Sequence, residues 1–294
     1  MYVIMGASGN TGKPLAMALL KAGKKVRILS RSEEKVKELK AAGAEVMIGD
    51  SNDAGFLTKA FAGATAAYVM IPPNWAAVDF TDYQRKYADA IADALMKSTV
   101  KYVVSLSSVG THLEEHSGVV FGLKYMEQKL DAIDGLNTLH LRPTYFMENT
   151  FGQIGVIKQM GIMGSPVKAD LSLSMIATKD IADFAFVRMN ALNFSGKNIQ
   201  YLLGQRDLTY KEVAAILGKG IGKPDLQYSE FPPEGLKQVL MQMGASESFA
   251  DNMNKFIGHL NKGRVLEDAK RDVENTSPTS IEEFTHTFAY VFKM

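Results

Sequence analysis

The tightest constraint on this chain lies at its start. The apolar run Tyr2-Val3-Ile4-Met5 passes directly into Gly6-Ala7-Ser8-Gly9-Asn10-Thr11-Gly12 and then Lys13-Pro14. A short apolar run, a glycine cluster and a proline-led segment read as strand, tight turn and helix start, because proline fits the first helical turn. Gly6 permits the turn, Gly9 removes a Cβ where backbone must approach a ligand, and Gly12 lets helix and strand pack closely. With Ser8, Asn10 and Thr11 between them, the head of the helix turns amide hydrogens and its dipole toward an anion such as a pyrophosphate.

The alternation of short apolar runs with longer amphipathic stretches continues to about residue 150. Strands are expected at residues 2–5, 25–29, 45–48, 66–70, 102–106 and 137–141, and helices at 14–21, 33–42, 54–61 and 79–97. Strand and helix in strict turn build an α/β fold with a doubly wound parallel sheet of the Rossmann type, joined by right-handed crossovers. From Phe151 the pattern loosens. Residues 161–164 read as a loop, 178–192 as a helix, 208–217 as a helix with Thr209 as N-cap and Glu212 three residues on, and 232–273 as largely helical. The expected division is therefore a dinucleotide-binding domain over 1–150 and a smaller C-terminal α/β substrate-side domain over 151–294, interleaved with the first.

Composition removes several function classes. Lys and Arg total 33 against 32 Asp and Glu, which leaves no electrostatic footprint for nucleic acid or an anionic membrane. The chain has no cysteine, so disulfides, thiolate catalysis and cysteine-built zinc sites are excluded. The five histidines, His112, His116, His140, His259 and His286, show no metal-ligand spacing, and no metal is expected. With no leader-like segment and no run of eighteen apolar residues, the expectation is a cytoplasmic protein without a membrane span.

The G-x-x-G-x-x-G spacing of Gly6, Gly9 and Gly12 resembles the short-chain dehydrogenase/reductase superfamily, in particular its extended and atypical branches. At the end of the second strand stands Ile28-Leu29-Ser30-Arg31-Ser32, where an NAD-preferring member carries an acidic residue for the ribose diol. Arg31 can pair with a 2′-phosphate and Lys35, one turn on, adds charge, so NADP(H) is expected over NAD(H). By the same resemblance Asp50 is the adenine-side carboxylate. Met70 and Pro72, at the end of the fourth strand, lie over the cofactor by topology. Trp75, the single tryptophan, either helps form a lid or packs on its own loop.

Short-chain dehydrogenases carry a Tyr-x-x-x-Lys pair in which the lysine lowers the tyrosine pKa for proton transfer. Tyr125-Met126-Glu127-Gln128-Lys129 matches that spelling. The segment Gly135-Leu136-Asn137-Thr138-Leu139-His140-Leu141-Arg142-Pro143, continued by Thr144-Tyr145-Phe146-Met147-Glu148-Asn149, resembles the NmrA-like family, and it sets a different register. That register places the family's helix lysine at Lys124, Gln128 where a glutamate is common, and Val120 where the tyrosine would stand. The two alignments exclude each other, and the longer one favours Lys124 as the residue facing the nicotinamide. Ser107 and Ser108 fall where the superfamily keeps its catalytic serine, and Tyr145, with Thr144 and Phe146, lines the nicotinamide and substrate side. Leu208-Thr209-Tyr210-Lys211-Glu212-Val213-Ala214 and Gly222-Lys223-Pro224 extend the likeness toward the C-terminus.

The resemblance implies an NADPH-dependent reductase acting on a small planar acceptor such as a quinone or conjugated carbonyl, working as a monomer or homodimer. Its catalytic candidates are Lys124, Ser107 and Tyr145. A non-catalytic NADP(H)-binding redox sensor is the alternative, and an epimerase-like enzyme the third, the last requiring Tyr125 at the nicotinamide.

Overall fold

The computed structural model describes residues 1–114 and 117–294, so His116 lies outside the described residues. In the first half the elements run β1 (Tyr2–Ile4), α1 (Gly12–Lys21), β2 (Val26–Ser30), α2 (Lys37–Ala41), β3 (Glu45–Ile48), α3 (Ala54–Phe61), β4 (Ala66–Val69), α4 (Phe80–Met96), β5 (Tyr102–Leu106), α5 (Phe121–Asp131) and β6 (Asn137–Pro143). Then follow β7 (Tyr145–Phe146), α6 (Ile154–Met160), β8 (Met163–Ser165), β9 (Leu173–Ile176), α7 (Thr178–Ala191), β10 (Lys197–Leu202), β11 (Asp207–Leu208), α8 (Tyr210–Gly220), β12 (Tyr228–Glu230), α9 (Pro233–Gln242), α10 (Glu247–Asn261) and α11 (Ile281–Lys293).

Seven strands form one parallel sheet in the order β10-β6-β5-β4-β1-β2-β3. This is the doubly wound α/β arrangement expected from the sequence. Successive residues from Tyr2 to Met5, along β1 and just past it, serve opposite faces: Tyr2 and Ile4 join α1 and α7 residues such as Leu15, Leu19 and Ile181, while Val3 and Met5 join Leu57, Ile91 and Met126. A sheet buried on both faces explains why its strands read as continuous apolar runs.

The second half does not form a separate block in sequence. Residues 178–202 supply α7, which packs on α1, and β10, which pairs with β6 as the edge of the main sheet. A second apolar core gathers Val109, Met147, Met163, Met175, Tyr210, Leu260, Val265, Phe284 and Phe288. Thr209 and Glu212 form the expected capping box at α8, and Ser280 with Glu283 forms another at α11. The loop expected at 161–164 instead runs into β8. Its parallel partner β12 starts some sixty residues later, a pairing that local turn signals cannot reveal. The helical stretch expected at 232–273 ends at Asn261, followed only by a 3₁₀ turn at Arg264–Leu266.

One buried polar chain stabilises the sheet. The Ser105 hydroxyl lies 2.7 Å from His140 Nδ1, and His140 Nε2 lies 2.9 Å from Asp131 Oδ1, which also accepts from the Thr138 hydroxyl at 2.7 Å. An ionised carboxylate only accepts, so Nε2 carries the proton and Nδ1 accepts from Ser105. Ser105 is fully buried and His140 nearly so, which makes this chain a structural feature and not a nucleophilic triad. Burial alone would raise the Asp131 carboxyl; hydrogen bonds from His140 and Thr138 outweigh it and hold the group below its ordinary value. A carboxyl lowered in the folded state contributes stability above its unfolded pKa of about 3.9, and that contribution is lost as pH falls through the folded value. Asp131→Asn should therefore lower the melting temperature at pH 7 and flatten its decline toward pH 3. Equal slopes for both proteins would contradict the assignment.

Candidate active site

A cleft of about 560 Å³ opens at the carboxyl ends of the central strands. It is lined by Gly6, Ser8, Gly9, Asn10 and Thr11 after β1, Arg31 after β2, Met70 to Pro73 after β4, and Leu106 to Ser108 at β5. Leu123, Phe146 and Thr178 complete the wall. β1 lies between β2 and β4, so the cleft occupies the switch point of the sheet, where doubly wound folds take their ligands.

The loop chemistry follows from its backbone. Gly6 has φ +64°, and a Cβ there would collide with the Met70 side chain. At Gly12 a Cβ would lie 2.9 Å from the Met5 carbonyl oxygen and closer still to that of Gly6. A Cβ on Gly9 meets only the Gly6 carbonyl oxygen, at 3.3 Å, and otherwise points into open space. Gly12 is thus a packing requirement, whereas Gly9 leaves room for a ligand. Thr11 caps α1 without a side-chain bond, its Oγ1 instead accepting from the Tyr68 hydroxyl at 3.1 Å.

Of the other expected cofactor contacts, Arg31 and Met70 lie in the cleft with Pro72. Lys35 and Asp50 do not line it. Lys35 sits exposed in the 3₁₀ turn Glu34–Val36, and Asp50 Oδ1 accepts from the Tyr87 hydroxyl at 2.8 Å and the Asn52 amide at 3.0 Å. Trp75 does not line the cleft. Its ring stacks on Phe249 of α10 at 5.6 Å, and its carbonyl accepts from the Ser246 amide.

α5 resolves the competing registers. Tyr125 donates to Asp89 Oδ1 on α4 at 2.9 Å, and Lys129 pairs with the same oxygen at 2.9 Å. The hydrogen bond to Asp89 holds the Tyr125 phenol above its ordinary pKa, the reverse of an activated acid. Tyr125 and Lys129 therefore belong to a helix–helix contact away from the cleft. Lys124 is also turned aside, its Nζ donating to the Leu113 carbonyl at 2.7 Å and its side chain facing a separate cavity with Leu113, Glu114, His259 and Arg264. The residue that α5 sends into the cleft is Leu123. This moves the expected register by one position.

The physical cause is Glu127. Buried beside β6, it accepts from Arg142 at 3.0 and 2.6 Å and from the Ser107 hydroxyl at 2.5 Å. Burial opposes the charge of Arg142, but Glu127 overrides it and raises the guanidinium pKa. With its proton committed to Glu127, Ser107 can only accept a further hydrogen bond. Ser108 is less constrained, and it lines both the cleft and a second cavity.

That second cavity, about 240 Å³, is predominantly apolar. Val109, Val119 and Val120 form one side, Tyr145, Phe146 and Leu173 the floor, and Met253, Phe256, Leu260 and Val265 the roof. Ser108 and Phe146 are common to both spaces. Burial pushes the Tyr145 phenol above its ordinary pKa, so it remains a neutral donor. Sequence reasoning missed the roof. Its signal is the spacing of Met253, Phe256 and Leu260, one face of an amphipathic helix. Thr178 was also missed, although it opens a helix directly after an apolar strand.

The sequence profile of the NmrA-like family matches residues 2–285. The chain belongs to the NmrA-like family. Among curated relatives, an NAD(P)H azoreductase of Xenophilus azovorans is 26% identical over 257 residues, 87% of this chain and 85% of the relative. The fold matches an Escherichia coli NADPH-dependent quinone oxidoreductase complexed with NADPH, with TM-score 0.81 and 20% identity over 98% of this chain and 99% of that one. It also matches Citrobacter sp. triphenylmethane reductase complexed with NADP(H), with TM-score 0.77 and 19% identity over 98% and 100% of the chains. Among the described residues of this member, no helix is long and apolar enough to cross a membrane, and no cluster of acidic and histidine side chains is arranged to hold a metal.

The two glycines separate packing from ligand space. Gly12→Ala should destabilise the fold by about 1–3 kcal/mol, the range for overpacking, while Gly9→Ala should cost less than about 1 kcal/mol. Denaturant titration of both variants measures this, and equal losses would contradict the distinction.

Proposed function

We propose that this NmrA-like protein is an NADPH-dependent reductase whose acceptor is a small planar molecule, a quinone or another conjugated carbonyl. The observation that carries the reading is the adjacency of the two spaces: the cleft at the strand ends and the apolar cavity share Ser108 and Phe146 as walls. The names of the azoreductase, quinone oxidoreductase and triphenylmethane reductase support an acceptor with extended conjugation.

The residues present fit this cofactor. Gly9 leaves a cradle open beside the head of α1 for the pyrophosphate, Arg31 offers a charged fork to the 2′-phosphate, and Met70 to Pro72 form an apolar wall. Bound NADPH supplies the hydride. The chain contributes orientation: Phe146 presents a ring to a flat acceptor, and the roof residues Phe256, Leu260 and Val265 keep water from its other side. Ser108 and the neutral Tyr145 phenol are the hydroxyl donors available to an acceptor oxygen. Lys124 and Ser107 drop out as proton donors, the first turned to Leu113 and the second committed to Glu127.

A second reading, cofactor sensing without turnover, rests on Val119 and Leu123, which in the shifted register present apolar groups where a dehydrogenase tyrosine and lysine would stand. NADPH consumption measured with a panel of quinones separates the two: turnover is expected, and binding without turnover would favour the sensor. NADPH should bind more tightly than NADH, with Arg31→Ala weakening NADPH about ten- to a hundredfold and leaving NADH nearly unchanged. Equal calorimetric affinity of the wild type for both cofactors would overturn the role of Arg31. Tyr125→Phe should change turnover by less than about tenfold, against the hundredfold or greater loss expected for a general acid.

A further inference from the structure

We propose that Glu148 is a positioning residue for the cofactor, fixing the first turn of α7 so that Thr178 forms part of the cleft wall. Glu148 lies in the 3₁₀ segment Met147–Gln153, just beyond Phe146. Both of its carboxylate oxygens accept from the Thr178 amide, at 3.0 and 3.1 Å, and Oε1 also accepts from the Thr178 hydroxyl at 2.5 Å. Thr178 opens α7, and the N-cap position before it is Ala177, which has no side chain able to cap. A carboxylate thirty residues upstream in sequence therefore does the work of a local N-cap, satisfying an orphan amide and placing negative charge at the positive end of the helix.

The position of this contact gives it a role beyond helix stability. Among the described residues, Thr178 alone of the chain beyond Phe146 lines the cofactor cleft. Glu148 and Thr178 also border an adjoining cavity of about 710 Å³ with Ser8, Gly9 and Asn10 of the phosphate loop. The same turn of α7 is held from its other side, where buried Asp180 accepts from the Thr279 amide at 3.1 Å and hydroxyl at 2.7 Å. Two carboxylates thus tie α7 to the segment after β6 and to the segment before α11. Glu148 controls the tie that faces the phosphate loop. With its charge set against the α7 dipole, it stands near a phosphate site with less repulsion than a free carboxylate would exert.

This inference rests on the cofactor assignment and is independent of the acceptor. Calorimetric titration with NADPH tests it without turnover. Glu148→Ala should raise the NADPH dissociation constant about tenfold or more, while Glu148→Gln, which keeps an oxygen acceptor, should stay within about threefold of wild type. At saturating NADPH the quinone-dependent kcat of both variants should remain near wild type, with the loss confined to the cofactor KM. If Glu148→Ala does not fold, Glu148→Asp, one methylene too short to keep all three contacts, should show the intermediate loss. A lowered melting temperature with unchanged NADPH affinity in the folded Ala or Asp variant would reduce Glu148 to a structural cap and overturn the proposal. Wild-type protein that does not bind NADPH would instead overturn the cofactor assignment itself.

Discussion

The buried ion pair between Glu127 and Arg142 determines which side of α5 the site sees. Both side chains are less than a tenth exposed, so removing either would leave an uncompensated buried charge, a loss of about 3–5 kcal/mol. Because Glu127 must point at β6, Leu123 one turn earlier and Val120 two turns earlier share its face, and they reach the two cavities. Tyr125 and Lys129 are carried to the opposite side, where Asp89 receives them. The same pair holds the Ser107 hydroxyl, and Arg142 continues to the Tyr201 hydroxyl at 2.7 Å. Tyr201 in turn bonds Asp268, next to the turn that carries Val265 into the cavity roof.

This anchoring explains why the site is divided as it is. The cofactor side is built from strand ends, whose positions are fixed by ladder hydrogen bonds and by cores on both faces of the sheet. The apolar cavity takes Met253, Phe256, Leu260, Val265 and Leu266 from α10 and the turn after it, which reach the sheet through side-chain packing. Gly118 and Gly110 make that approach possible. Both have positive φ, and a Cβ on Gly118 would meet the α10 backbone, 2.7 Å from the Phe256 nitrogen.

The sheet was legible in the sequence because strand, turn and helix signals are local, and the glycine loop fixed the position of β1. β10 and β8 were not. Each finds its partner, β6 or β12, across some sixty residues, and nothing near them in sequence announces the pairing. The same limit governed the site. Gly6, Gly9 and Arg31 occupy positions that the strand ends dictate, so the cleft contains them, while Gly12 packs against the loop backbone behind it. The facing of α5 depends on one buried partner: with Gln128 read as the family glutamate, Lys124 turned inward. Gln128 is exposed and Glu127 carries the ion pair, and that single residue moves every side chain on the helix by about 100°.

The central claim is that cofactor cleft and apolar cavity act as one site. A crystal structure of the protein with NADP⁺ and a quinone tests it directly. The account predicts the pyrophosphate against Gly9 to Gly12, the 2′-phosphate at Arg31, and the quinone beside Phe146 under Phe256 and Leu260, its oxygen within reach of Ser108 or Tyr145. A quinone bound elsewhere, or a nicotinamide ring turned away from Phe146 and Ser108, would contradict it.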